Sequence, residues 1–223
     1  MMTLAELIGK IRLAPHHSPE AVRRREREDR ADDVRDGWLE DARWLPRAPY
    51  ARLTNPGWLR VADPRIVAAV KVWNPRLQGL ALFGPTGTGK TSGVLAGLRG
   101  AMAASRADIL AGREHRLPRF AWVKEVDLLK LEKQHPLGRG ASPRLRLLHR
   151  VRHLIVDEVG PGHGHPKALF ELIDQRYDNG QLPTTITCGH TPDVLVSRYG
   201  DALYRRLSHM ADELDLFTTE GEP

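Results

Sequence analysis

The chain has one cysteine, Cys188, so no disulfide can form within it and nothing points to an oxidising compartment. No apolar run approaches the length of a membrane span. Glu6 and Lys10 interrupt the apolar residues at the N-terminus, which argues against a signal peptide. There is neither an internal repeat nor a low-complexity tract. With 41% hydrophobic and 28% charged residues among 223, the composition is that of a soluble chain. Its length suits one α/β domain with a short extension, and the expected compartment is the cytoplasm.

Charge is unevenly placed. The net charge is +6, yet residues 1–46 hold 9 basic and 10 acidic residues. Residues 211–223 hold five acids (Asp212, Glu213, Asp215, Glu220 and Glu222) and no base. The excess therefore sits in residues 47–210, with 25 bases against 13 acids. A basic body between neutral and acidic ends suits a polyanionic partner or, more simply, a solvated arginine-rich surface.

The first 46 residues read as two helices. Thr3 and Glu6 make a capping box ahead of Leu4, Leu7, Ile8 and Ile11 at helical spacing. Pro15 breaks the chain, and Ser18-Pro19-Glu20 restarts it with an N-cap and a first-turn proline. In this second helix Ala31, Val34, Trp38, Ala42 and Leu45 form a narrow apolar stripe, ended by Pro46. Either stripe can pack on the chain's own core or dock on a partner. From about residue 76, strands and helices alternate, which argues a parallel sheet with crossover helices. Strands are expected at 80–83, 120–123, 154–156, 184–187 and near 214–217. Helices are expected at 90–104, 125–133, 143–152, 167–179 and around 192–208.

"GPTGTGKT" is a complete P-loop pattern: Gly84, Pro85, Thr86, Gly87, Thr88, Gly89, Lys90 and Thr91, with Ser92 following. It ends an apolar strand and opens a helix, the context in which backbone N–H groups converge on phosphates. Lys90 is placed to reach the β- and γ-phosphates, and the Thr91 hydroxyl to ligate Mg2+. "HLIVDEVG" adds Asp157 for the metal shell and Glu158 to orient and deprotonate a water. "PGHGHP" offers His163 and His165, but no cysteine or acid at ligand spacing, so a loop over the nucleotide is expected there rather than a metal site.

The motifs "LPRAPYARL", "LALFGPTGTGKT", "HLIVDEVG", "LFELIDQRYDNGQLPTTIT" and "YGDALYRRLSHMADELDL", in this order, resemble the DnaC/IstB branch of AAA+ ATPases. The similarity covers roughly residues 46–217. It implies a five-stranded parallel α/β sheet of AAA+ type, ATP with Mg2+, a ring or spiral oligomer, and DNA as partner. It also implies a γ-phosphate sensor on the strand "TTIT". The family places Thr-Ser-Asn there, whereas this chain reads Thr187-Cys188-Gly189-His190. Thr187 is then the expected sensor, with His190 a substitute, and a slow hydrolysis follows. The family's Arg-Leu pair falls on Arg206-Leu207, making Arg206 the expected arginine finger, with Arg205 its competitor. The 17 residues after Arg206 are too few for a helical lid. Arg47 and Tyr50 match the segment that lines the family's adenine pocket.

"GRGASPRLRLLHRVRH" concentrates Arg139, Arg144, Arg146, Arg150 and Arg152, with Lys124, Lys130 and Lys133 on the preceding helix. Arg146 and Arg150 share a helical face while Leu145, Leu148 and Val151 can face the sheet. Such a track suits DNA, single-stranded first. The expected organisation is a helical, partner-binding extension over 1–46, an ATPase domain over 47–217 and an acidic tail over 218–223. The expected function is ATP-driven loading of a replicative helicase, stimulated by oligomerisation or DNA. The alternative within the family is an IstB-like helper that recruits a transposase. Outside it stand a small-molecule P-loop kinase and a nucleotide-gated binding module that does not hydrolyse.

Overall fold

The computed structural model describes residues 18–42, 62–113, 119–133, 142–160 and 166–217. The expected first helix with Leu4, Leu7, Ile8 and Ile11, together with Arg47, Tyr50, Arg139, His163, His165 and the tail 218–223, lies outside the described residues.

The described elements run α1 (Pro19–Ala42), α2 (Pro64–Val72), β1 (Gly79–Phe83), α3 (Lys90–Leu110), β2 (Phe120–Lys124), α4 (Glu125–Lys133) and α5 (Pro143–Arg150). They continue with β3 (His153–Val159), α6 (Pro166–Asp178), β4 (Thr184–Cys188), α7 (Pro192–Tyr199), α8 (Asp201–Met210) and β5 (Ala211–Asp215). The five strands form one parallel sheet in the order β2-β3-β4-β1-β5. Strands buried on both faces read as near-continuous apolar runs. Alternation then sends Leu80 and Leu82 to one face and Ala81 and Phe83 to the other.

On the first face α2 and α3 cover Leu80, Leu82, Trp122 and Ile155 with Ile66, Val70, Trp73, Val94, Leu95 and Leu98. The two helices sit close because α3 presents glycines where α2 crosses. A Cβ on Gly93 would fall 2.2 Å from Ile66 Cγ2, and one on Gly97 2.6 Å from the Trp73 ring. The second face is filled from α4 to α8 by Leu128, Leu148, Leu169, Leu172, Leu203 and Leu207.

Two sequence expectations need correction. The last strand is Ala211–Asp215, not 214–217, since α8 passes into it without a turn. Asp212, Glu213 and Asp215 are therefore part of a sheet edge, where charge discourages pairing with another chain. Helix α2 was not anticipated: all nine of its residues lie before the first strand signal, and Pro64 at its start reads equally as a loop. The second N-terminal helix forms as expected. It packs on the body, with Ala31 buried against α3 and β2 and Asp32 3.4 Å from Arg106 of α3.

Arg176 of α6 is wholly buried and has no carboxylate partner among the described residues. Its guanidinium donates to the end carbonyls of α5, Leu148 at 2.7 Å and Val151 at 2.9 Å. It also donates to Pro183 O at 2.9 Å and Thr184 Oγ1 at 2.9 Å, which tethers the start of β4. Desolvation pushes it down to about 9, so it stays charged at neutral pH. Arg176→Met should lower the unfolding free energy by about 3 kcal/mol, because it strands several buried acceptors. The expected readout is a lower urea midpoint at an unchanged m value.

Candidate nucleotide site

β1 ends at Phe83 and α3 begins at Lys90, leaving six residues to turn the chain. Gly87 at φ 90° and Gly89 at φ 87° take the left-handed conformation that L side chains resist. Gly89 also permits a close approach, since a Cβ there would meet Ala62 Cα at 2.6 Å. Next to that contact Asp63 N donates to Thr88 O at 2.9 Å, so the segment before α2 braces the loop. The first N–H groups of the 21-residue α3 therefore point out of a fixed turn, a ready site for phosphate.

Lys90 folds back over this loop, donating to Gly84 O at 2.6 Å and Pro85 O at 2.8 Å. It is buried, which lowers its pKa, while the nearby Cys188 and Asp157 oppose that shift. Lys90 also donates to Thr88 Oγ1 at 3.4 Å, and an ammonium held by neutral oxygens has strong reason to exchange them for phosphate oxygens.

Asp157 on β3 lies at the floor of the site. Its Oδ1 accepts from Thr91 Oγ1 at 2.9 Å and from Thr187 Oγ1 at 2.6 Å. Burial raises its pKa, and the Thr187 and Thr91 hydrogen bonds pull the other way. A hydroxyl and a carboxylate side by side are hard oxygen donors of the type Mg2+ takes. Glu158 follows with φ 58°, at a register shift between β3 and β4. Its N–H donates to Thr187 Oγ1 at 3.1 Å, and its carboxylate turns outward.

Among the expected site residues, the fold brings together the loop 84–92, Asp157, Glu158 and Thr187. Position 189 faces the loop as well: a Cβ on Gly189 would have the Thr86 hydroxyl at 4.0 Å and nothing nearer. His190 instead lies against Gly160, where a Cβ would meet its ring at 2.8 Å. Arg206 is apart, on α8. It pairs with Asp174 at 2.6 Å, donates to Ala202 O at 3.1 Å and stacks over Phe170 and Tyr177. Arg205 pairs with Asp201 on the more exposed side of the same helix.

Lys124, expected as part of a DNA track, makes an ion pair beside the nucleotide site. Its Nζ donates to both Glu158 oxygens at 2.7 Å. The cause is register: β2 pairs with β3 so that Lys124 stands opposite Asp157, which places its side chain beside Glu158. Nothing in the sequence spacing marks this contact, because residues 124 and 158 meet only once the two strands are neighbours. Lys130 pairs with Asp127 at 2.8 Å, whereas Arg144, Arg146 and Arg150 are exposed on α5. Among the described residues no cluster of three or more His, Cys, Asp or Glu could hold a metal, and no helix is long and apolar enough to cross a membrane.

The model of a family described as IstB-like ATP binding protein matches residues 50–219. The chain belongs to that family. The family description names ATP, and the loop geometry suits the phosphates of a nucleotide. No curated protein matches the chain. Among solved structures, the DnaC helicase loader is 20% identical with a TM-score of 0.50, over 68% of this chain and 86% of that one. DnaI is 16% identical with a TM-score of 0.50, over 76% and 94%. At these identities the likeness is one of fold alone, a five-stranded parallel sheet flanked by helices of the AAA+ P-loop type.

Lys90→Ala should weaken ATP binding by about 100-fold, since it removes the ammonium that lies over the cradle. Titration with a fluorescent ATP analogue measures this, and unchanged affinity would remove Lys90 from the site.

Proposed function

We propose that the protein is an ATP-hydrolysing accessory factor of DNA replication that assembles on DNA and delivers a replicative helicase. The observation that carries this reading is the single Asp157 oxygen shared by the P-loop hydroxyl Thr91 and the β4 hydroxyl Thr187, with Glu158 next to it. A site meant only to hold a nucleotide does not need a second carboxylate beside the first.

In this reading Gly84 to Ser92 bind the phosphates and Lys90 neutralises their charge. Thr91 and Asp157 hold Mg2+, which when bound spreads the negative charge of the phosphate oxygens. Glu158 orients the attacking water and takes its proton, and Thr187 senses the γ-phosphate. Gly189 offers no side chain to that phosphate, so turnover is slow. Arg206 serves the nucleotide of an adjacent copy, and this makes hydrolysis depend on assembly. Its distance from its own loop supports that assignment, because α8 and α3 lie on opposite faces of the sheet.

For DNA, α5 offers Arg144, Arg146 and Arg150 on an exposed face, with Lys130 on α4 and Arg139 between the two helices in sequence. A groove of about 350 Å³ between α5 and α6 adds His149, Gln175 and Asn179 beside Arg146 and Arg150. Cations with carboxamides suit a phosphate backbone and its bases, single-stranded DNA in the first instance. Helix α1 is committed to the body, so contact with a helicase would come from residues 1–17. The family match favours a second reading, a transposition helper that recruits a transposase. Pull-down against a replicative helicase and a transposase separates the two.

ATP turnover with increasing protein concentration, with and without single- and double-stranded DNA, tests the main reading. Glu158→Gln should cut kcat by about 100-fold and leave ATP binding intact. Arg206→Ala should do the same, and mixing the two variants should restore part of the activity. Restoration that fails while each variant still assembles would place the finger elsewhere. Lys124→Met should raise basal turnover severalfold, because it frees the Glu158 carboxylate from its ion pair; a fall in turnover would make Lys124 part of the catalytic machinery.

A further inference from the structure

Glu125 is the first residue of α4, is completely buried, and stands outside the residues assigned above to phosphate and metal. Its two oxygens divide their work. Oε1 accepts from Tyr199 Oη at 2.7 Å, and Oε2 accepts from the backbone N–H of Gly160 at 3.0 Å. Tyr199 is the last residue of α7 and is itself buried, with the Arg198 guanidinium 5.4 Å from its ring centre. Gly160 is two residues beyond Glu158.

The placement matters because of the backbone between them. Glu158 has φ 58°, a conformation that costs a non-glycine residue about 1 kcal/mol or more. It sits within the register shift that separates Val156 from Val159 against β4. Such a bulge persists only where its surroundings hold it. Hydrogen bonds on both sides do so: Glu158 N to Thr187 Oγ1 on one, and on the other Gly160 N to Glu125, with Tyr199 Oη also donating to Gly160 O at 3.3 Å. Release of the Gly160 end would let β3 return toward regular pairing, and a one-residue slip turns each side chain to the other face of the sheet. The Glu158 carboxylate would then leave the mouth of the site.

We infer that Glu125 and Tyr199 are positioning residues for Glu158: the buried pair clamps Gly160 and so fixes the bulge that aims the Glu158 carboxylate. The inference rests on the role given above to Glu158. A buried carboxylate is tolerable here because it lies at the N-terminus of α4 and receives two donors. Tyr199 keeps the Glu125 carboxylate turned so that its second oxygen meets Gly160. The clamp also links three elements that the phosphate site does not join, namely α4, α7 and the end of β3.

The test compares steady-state ATP turnover, KM for ATP and thermal midpoint in the full chain. Tyr199→Phe deletes only the hydroxyl and should lower kcat about fivefold, with KM and the midpoint near wild type. Glu125→Ala should lower kcat further, by about tenfold or more. Glu125→Gln should restore most of it, since an amide oxygen can accept from Gly160 while its NH2 donates to Tyr199 Oη. In a Glu158→Gln background Tyr199→Phe should have no further effect, because it acts through the missing carboxylate. A wild-type kcat in Tyr199→Phe, or an undiminished additional loss in the Glu158→Gln background, would overturn the inference. A wild-type kcat in Glu158→Gln alone would overturn the role of Glu158 first, and this inference with it.

Discussion

The nucleotide site is organised around one oxygen atom. Asp157 Oδ1 receives the Thr91 hydroxyl from the first turn of α3 and the Thr187 hydroxyl from β4. Three stretches distant in sequence are thereby held within hydrogen-bonding distance at the end of one sheet. The strand order makes this possible, because β4 lies between β1, which leads into the P-loop, and β3, which carries the acids. An open parallel sheet binds ligands beyond the carboxyl ends of its strands, where the connections diverge. Here α3 leaves β1 toward one face while the segments after β3 and β4 turn toward the other.

Charge around that oxygen is arranged in reserve. Lys90 rests on carbonyls of its own loop, and Lys124 rests on Glu158. Both cations hold partners that phosphate or water could replace. The Lys90 contacts are buried and therefore sensitive to what enters, whereas the Lys124–Glu158 pair is partly open to water and individually weak. A bound nucleotide would displace the first set outright; the second governs whether a carboxylate is free to act.

Arg206 has the same character on the far side of the body. Its guanidinium is already paired with Asp174 and stacked on Phe170 and Tyr177 of its own chain, while its buried Nε has no hydrogen-bond partner among the described residues. A role at a neighbour's phosphate would require exchanging that carboxylate for a more highly charged anion. The buried supports behind these surfaces are rigid by contrast. Arg176 ties α5 to β4, and Glu125 with Tyr199 ties α4 and α7 to the bulge after Glu158. The arginine-bearing α5 and its neighbour α4 are in this way fastened to the strands that carry Thr187 and Glu158.

Much of this was legible in the sequence, for a local reason. A P-loop is set by residues adjacent in the chain, with glycine φ values and helix-start N–H groups supplied within about ten positions. The parallel sheet follows from alternating apolar runs and helical spacing, and Asp157-Glu158 from their place at the end of such a run. The start of β5 was misjudged because α8 enters it with no glycine or proline to mark the change, and because its charged residues resemble a tail. The partners of Lys124, Glu125, Arg176 and Arg206 were invisible for a different reason. Each depends on which strands and helices become neighbours, and a residue type announces its charge but not the element it will face. Sequence alone determined that this chain binds a nucleotide on a parallel sheet. Only the tertiary structure decided which charges meet, because strand order and register bring together residues 34 or 74 positions apart.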